Sequence, residues 1–193
     1  MELRAEIGQD ERKPSPFTPQ EVLAIAQRRG WLAAGQDEIT SPISESLQAE
    51  RLAWLAQAAQ LLGVQAADAK ALEGLLEEVF QYDAGASLAR PENQAVMARE
   101  GARQVLRELA SLVLDSAAID SDRYKEVVAA LKERTRRRGQ ELFHPVRLAL
   151  AGRAGEGEHD RVILLLDGAA RLPWAVGVKN CRDRILEFCA AFD

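Results

Sequence analysis

Arg161-Val162-Ile163-Leu164-Leu165-Leu166-Asp167 is the stretch whose reading decides the fold. Its length, its β-branched pair and its unbroken apolar run suit a buried strand as well as a buried helix. A strand needs partners, and no second run of this kind occurs in the sequence. Helix is therefore expected over Asp160 to Leu166. With it the whole chain is expected to be all-α, a bundle or cage of about seven to eight helices.

Working outward, the remaining segments agree with that class. Thr18-Pro19-Gln20-Glu21 reads as a helix start, with Thr18 as cap, Pro19 in the first turn and Glu21 closing a capping box. That helix runs to about Arg29 and stops at Gly30, with Trp31 and Leu32 as an apolar plug. After a connector from Gln36 to Pro42, a second helix begins at Ser44 or Ser46 and buries Leu52, Leu55, Ala58, Ala59 and Leu62. Asp68 caps a third, with Leu72, Leu75, Leu76, Val79 and Phe80 inward. Gln81 to Pro91 reads as a turn region, and one long helix follows from Pro91 to about Asp115. Ser121 caps a fifth helix, burying Tyr124, Val127, Val128 and Leu131 and ending at Arg138 before Gly139. Pro145 suits the first turn of the next helix, with His144 as its cap. A last helix spans Asn180 to Phe192, and Trp174 is expected in the core.

Charge singles out one segment. From Arg123 to Arg153 nine cationic side chains stand against three glutamates, a surplus of six in a chain whose formal net charge is −5. A local reversal of that kind argues for an anionic partner at this place. An overall pI near 5.3 argues against a general nucleic-acid coat protein, DNA included. Apolar residues at 47% suffice for a real core, and no run approaches the ~20 residues of a membrane span. Met1 to Lys13 is charged and lacks the apolar stretch of a signal peptide, so a cytoplasmic location is expected. Cys181 and Cys189 read as reduced thiols that do not pair within one helix. With two histidines, two cysteines and no Cys-x-x-Cys, neither a metal site nor a cofactor is expected.

Around Gly139 the segment also resembles a known family. Leu142-Phe143-His144-Pro145-Val146-Arg147-Leu148-Ala149-Leu150-Ala151-Gly152-Arg153 is similar to the Leu-Phe-x-Pro-Leu-Arg-x-Ala-Leu-Thr-Gly-Arg segment in the C-terminal, anticodon-binding region of bacterial glutamyl-tRNA synthetases. The run from Arg161 resembles the helix that comes next in that family. The resemblance is specific over about Ser121 to Asp167, weaker over Leu61 to Ser121, and absent before about Ser44. Two departures stand out: Ala151 replaces the family's Thr, and Glu156-Gly157-Glu158-His159 replaces its Gly-Pro-Glu-Leu turn. The expected organisation is a lead of residues 1–43 with one short helix, a helical subdomain over 44–120, and an anticodon-binding-like subdomain over 121–193.

The resemblance implies tRNA as partner, most of all glutamate tRNA, with a synthetase catalytic chain as a further one. It also implies the residues that would touch RNA, namely Arg136, Arg137, Arg138, Arg147, Arg153, Gly157 and His159. Each has a blander alternative. The arginine run also suits a solvated helix end complementing the dipole. Arg147, between Val146 and Leu148, also suits a structural ion pair, and His159 is either a base-stacking or a merely solvated loop residue. No His-x-Gly-His, Lys-Met-Ser-Lys or phosphate-cradling glycine loop occurs, so the chain is expected to catalyse nothing by itself. Two other readings stay open, a helical protein-interaction scaffold that no longer reads RNA and a fragment of a complete glutamate–tRNA ligase.

Overall fold

The structure, a computed structural model, describes residues 15–32, 42–115 and 118–192, with the side chains of 42–44 outside the description. The expected lead up to residue 14 and the connector as far as residue 41 lie outside the described residues. Ten helices and no strand occur among those described. They are α1 (Pro19–Arg28), α2 (Pro42–Gly63), α3 (Ala69–Phe80), α4 (Ala84–Leu88), α5 (Pro91–Met97), α6 (Ala102–Leu114), α7 (Ser121–Thr135), α8 (Gln140–Ala151), α9 (Glu158–Ala169) and α10 (Cys181–Phe192). The all-α expectation holds, and the ambiguous apolar run is the middle of α9, where Val162, Ile163, Leu165 and Leu166 are fully buried.

The chain divides into two compact units, the described residues of Met1–Glu77 with Leu172–Gly177, and those of Glu78–Arg171 with Val178–Asp193. In the first, α1 opens with the capping box read from the sequence: Thr18 accepts from the Glu21 amide while Glu21 reaches back. Val22, Ile25 and Ala26 turn inward, and Trp31 and Leu32 are buried behind Gly30. Along α2 the buried stripe differs from expectation. Leu52 is 53% exposed, whereas Arg51, Trp54, Leu55, Ala58, Ala59 and Leu62 are buried. Trp54 packs edge-on against Trp174 with ring centroids 5.1 Å apart, and the wide indole rotates the stripe toward its own position.

In the second unit α8 lies against α5, α6, α9 and α10, and shares the middle of the unit with α10, which packs against α4, α6, α8 and α9. Helix α8 is accordingly apolar nearly all round, with Leu142, Val146, Leu148, Ala149 and Leu150 buried. Two stretches depart from their sequence reading. The expected turn over Gln81–Pro91 contains α4, capped by Asp83, whose carboxylate accepts the Ala86 amide at 2.8 Å. The expected long helix from Pro91 breaks into α5 and α6 at Gly101, which takes φ +85°. A Cβ at Gly101 would meet only the movable end of the Arg137 side chain, so it is the left-handed conformation that requires glycine there.

Arg184 holds the second unit together. It is completely buried and donates to four main-chain carbonyls: Lys179 (3.0 Å), Glu78 (2.9 Å), Leu150 (2.8 Å) and Val79 (2.6 Å). Three of those carbonyls end α3 and α8, where unsatisfied C=O groups concentrate partial negative charge. Burial lowers the Arg184 pKa to about 10, with no carboxylate bonded to the guanidinium. Nearby, Tyr82 donates to the Ala149 carbonyl at 2.5 Å. Asp167, also buried, accepts the amides of Ile119 (2.5 Å) and Cys181 (2.7 Å). Neither Cys181 nor Cys189 is in a disulfide, and burial pushes the Cys181 pKa far up, which makes it unreactive.

Candidate nucleic-acid interface

The charged segment begins on α7 and ends on the turn after α8. Asp120, not Ser121, caps α7 by accepting the amides of Asp122 and Arg123. The helix ends at Thr135, three residues earlier than read. Thr135 donates to the Leu131 carbonyl at 2.7 Å and accepts the Arg137 amide at 3.2 Å. Arg136 then takes the left-handed conformation with φ +57°, the single non-glycine residue to do so among those described. The role assigned to Gly139 at the helix end is therefore filled by an arginine, at a cost of roughly 1–2 kcal/mol. Gly139 instead opens α8, its carbonyl accepting the amides of Leu142 and Phe143.

That start moves Pro145 and His144 into the body of α8, correcting both expectations. Pro145 is the sixth helical residue, and the carbonyl it leaves unserved belongs to exposed Glu141, where water can reach it. His144 caps nothing; its Nδ1 lies 3.3 Å from Arg99, and burial first, then the charges of Arg99 and Arg147, lower its pKa.

Folding changes the meaning of the charge surplus. Six of its nine cations have carboxylate partners: Arg123 with Glu126, Lys125 with Asp122, Arg134 with Glu108, Arg137 with Glu100 and Glu141, Arg147 with Asp160, and Arg153 with Glu78. Lys132 lies over the Phe143 ring. Arg136 and Arg138 are exposed and have no carboxylate partner among the described residues. Exposed ion pairs are worth little, so Arg134 and Arg137 can exchange a carboxylate for a phosphate at small cost. Arg147 cannot.

Arg147 is buried, pointing into the fold rather than at solvent. Its guanidinium grips both oxygens of Asp160 at 2.8 Å and also donates to the Gly155 carbonyl at 2.7 Å. Burial opposes its charge, but the hydrogen bond and charge of Asp160 outweigh burial and raise its pKa. Tyr124 donates to the same carboxylate at 2.7 Å, and burial together with Asp160 raises its pKa well above the ordinary value.

His159 also departs from expectation. It is the second residue of α9 rather than a loop residue, and it is buried, with Nδ1 2.7 Å from Glu78 and Nε2 3.5 Å from Glu158. An enclosed ring offers no face for a base to stack on, so the stacking reading is withdrawn. Glu78 is buried as well and takes a second partner in Arg153, whose Nε lies 3.2 Å away. Gly157 is exposed at the start of α9 with open space beside it. The structure thus places Arg136, Arg138, Arg153 and Gly157 at the surface, leaves Arg137 half-buried, and commits Arg147 and His159 to the interior. Glu78, Tyr124 and Asp160 complete the arrangement. No local pattern announces them, because their partners lie 13 to 81 residues away.

No helix among the described residues is long and apolar enough to cross a membrane, and no cluster of His, Cys, Asp and Glu among them could hold a metal. Compared with known proteins, the chain is 40% identical over 92 residues to Glutamate–tRNA ligase 2 of Syntrophus aciditrophicus (strain SB). The matched region is 48% of this chain and 18% of that ligase. A region of the chain is thus related to a glutamate–tRNA ligase. No family model and no solved structure matches.

Proposed function

We propose that this chain is a non-catalytic tRNA-binding module like the anticodon-binding region of a glutamyl-tRNA synthetase, with residues 121–193 carrying the RNA surface. The observation that carries this reading is the 40% identity of a 92-residue region to a glutamate–tRNA ligase. The two exposed, unpaired guanidiniums of Arg136 and Arg138 support it. In this reading they meet phosphates and position the RNA, while Arg153 and the turn through Gly157 face unstacked bases of the anticodon loop. Glutamate tRNA is the proposed ligand. Amino-acid activation would rest with a synthetase catalytic domain, on a partner chain or on a longer parent chain.

The test is a titration of glutamate tRNA and an unrelated tRNA at two salt concentrations. Replacing Arg136 and Arg138 together with Ala should weaken binding and flatten the salt dependence of log K by about 1.4 units, at ~0.7 per lost single-strand contact. Arg136→Gly provides the internal control. It removes the left-handed strain, so stability should rise by about 1 kcal/mol while binding falls. A variant that is more stable yet binds more weakly separates function from folding. One observation favours a second reading, that of a helical protein-interaction scaffold: six of the nine cations already have carboxylate partners. If the wild-type protein binds neither tRNA above background, that reading replaces the first.

A further inference from the structure

Three observations on the turn from Gly152 to Gly157 have no part in the phosphate contacts proposed above. Arg147 spends its charge on Asp160, yet its remaining terminal nitrogen reaches out of that pair to the Gly155 carbonyl at 2.7 Å. At Gly155 itself, a Cβ would overlap the buried His159 ring, so the turn backbone lies directly on that side chain. Arg153 is pinned through Nε to Glu78, which is anchored in turn by His159 at 2.7 Å. About half of the Arg153 side chain stays exposed, at 51%. The turn is therefore gripped at its first arginine, at its middle carbonyl and across its middle Cα, each time by a buried group. A buried ion pair serving only the core would be complete with Asp160 and Tyr124. The added reach to Gly155 is what an isolated core pair does not need.

We infer that Arg147 and His159 are positioning residues, which hold the Gly152–Gly157 turn in one geometry and so present the Arg153 fork and the turn backbone ready-made to a planar acceptor edge of RNA. The inference rests on the proposed function for its ligand, but the grip itself is independent of RNA. A turn ordered in advance loses little freedom on binding, and that favours discrimination between ligands over raw affinity.

Two variants test it. Arg147→Lys keeps the charge beside Asp160 but cannot serve Asp160 and Gly155 together. Gly155→Ala leaves the ion pair untouched and instead drives a methyl group into His159. In each folded variant, backbone NMR order parameters over 153–157 should fall from the rigid range of about 0.85 to below about 0.6, while those of α10 stay as in wild type. Binding should change in the same selective way. The preference for glutamate tRNA over an unrelated tRNA should shrink while the salt slope stays, because the phosphate contacts at the end of α7 survive. A purely structural role would lower the melting temperature and leave that preference intact. Unchanged order parameters across the turn in both variants overturn the inference, as does a loosened turn with unchanged discrimination. Failure of wild-type protein to bind any tRNA counts against the proposed function, and the order parameters still decide whether Arg147 and His159 hold the turn.

Discussion

All three tryptophans, Trp31, Trp54 and Trp174, belong to the first unit, and both tyrosines, Tyr82 and Tyr124, belong to the second. The division extends to what each unit buries. In the first, the described core is aromatic and aliphatic, with Arg51 as its buried charge, and the ion pairs of Arg28 and Arg29 with Glu73 and Glu77 lie on the surface. In the second, Glu78, Arg147, His159, Asp167 and Arg184 are all buried. Apolar burial is non-directional and tolerates small displacements. A buried guanidinium or carboxylate is costly unless every bond is made in the right place. The second unit is therefore the one whose geometry is fixed most strictly, and it contains every residue proposed to meet RNA.

The largest expected effect comes from removing the deepest of these charges. Arg184→Ala would orphan three buried carbonyls and a half-buried fourth and leave a large void, and it should cost about 3–5 kcal/mol, the range for breaking a buried charged network. Thermal unfolding followed by ellipticity measures this, and a loss below about 1 kcal/mol would show that the carbonyl cluster is not essential. A smaller and pH-dependent effect should come from the tyrosines. Burial is the leading cause that raises both phenol pKa values, which ordinarily lie near 10. A group with a raised folded-state pKa stabilises the fold below its unfolded value, and that stability is lost as pH climbs toward the folded value. Stability should thus decline above about pH 10, partly offset by Arg184, whose depressed pKa works in the opposite direction. Phenolate absorbance near 295 nm should appear at a higher pH than in a free tyrosine; normal titration of both tyrosines in the native protein would contradict their raised pKa values. The smallest effect belongs to the first unit. Arg28→Ala breaks an exposed pair with Glu73 and should cost less than about 0.5 kcal/mol in a denaturant titration, vanishing at high salt. A cost like that of Arg184→Ala would erase the contrast.

Helix class and most helix positions were legible because they depend on neighbours three and four residues apart. Asp68 as a cap, the stripe from Leu72 to Phe80 and the apolar face of α6 all follow from that spacing. What escaped depends on distant partners or on a broken rule. Gly101 parts two helices by taking φ +85°, and a lone glycine inside an apolar helical pattern does not announce that. Arg136 takes a conformation usually left to glycine, and three arginines in a row look like the last turn of a helix until that is known. His159 looks like a loop residue after two glycines, because nothing nearby points to Glu78. The charge surplus was legible as a sum but not as a surface, since Glu100 and Glu108 come from α6 and the bend before it, and Glu78 from α3.

Arg184 also sets a timetable. Its hydrogen bonds to Glu78 and Val79 span more than a hundred residues, and Ala175 donates to the Trp31 carbonyl at 2.7 Å across a still longer stretch of chain. During synthesis a ribosome releases Trp31, then Glu78, then Leu150 long before either late partner exists. Until residue 184 emerges, the ends of α3 and α8 wait with bare carbonyls, and until residue 175 emerges the Trp31 carbonyl waits too. A nascent chain of this protein therefore cannot close the first unit before residue 175 emerges, nor the second before residue 184 does.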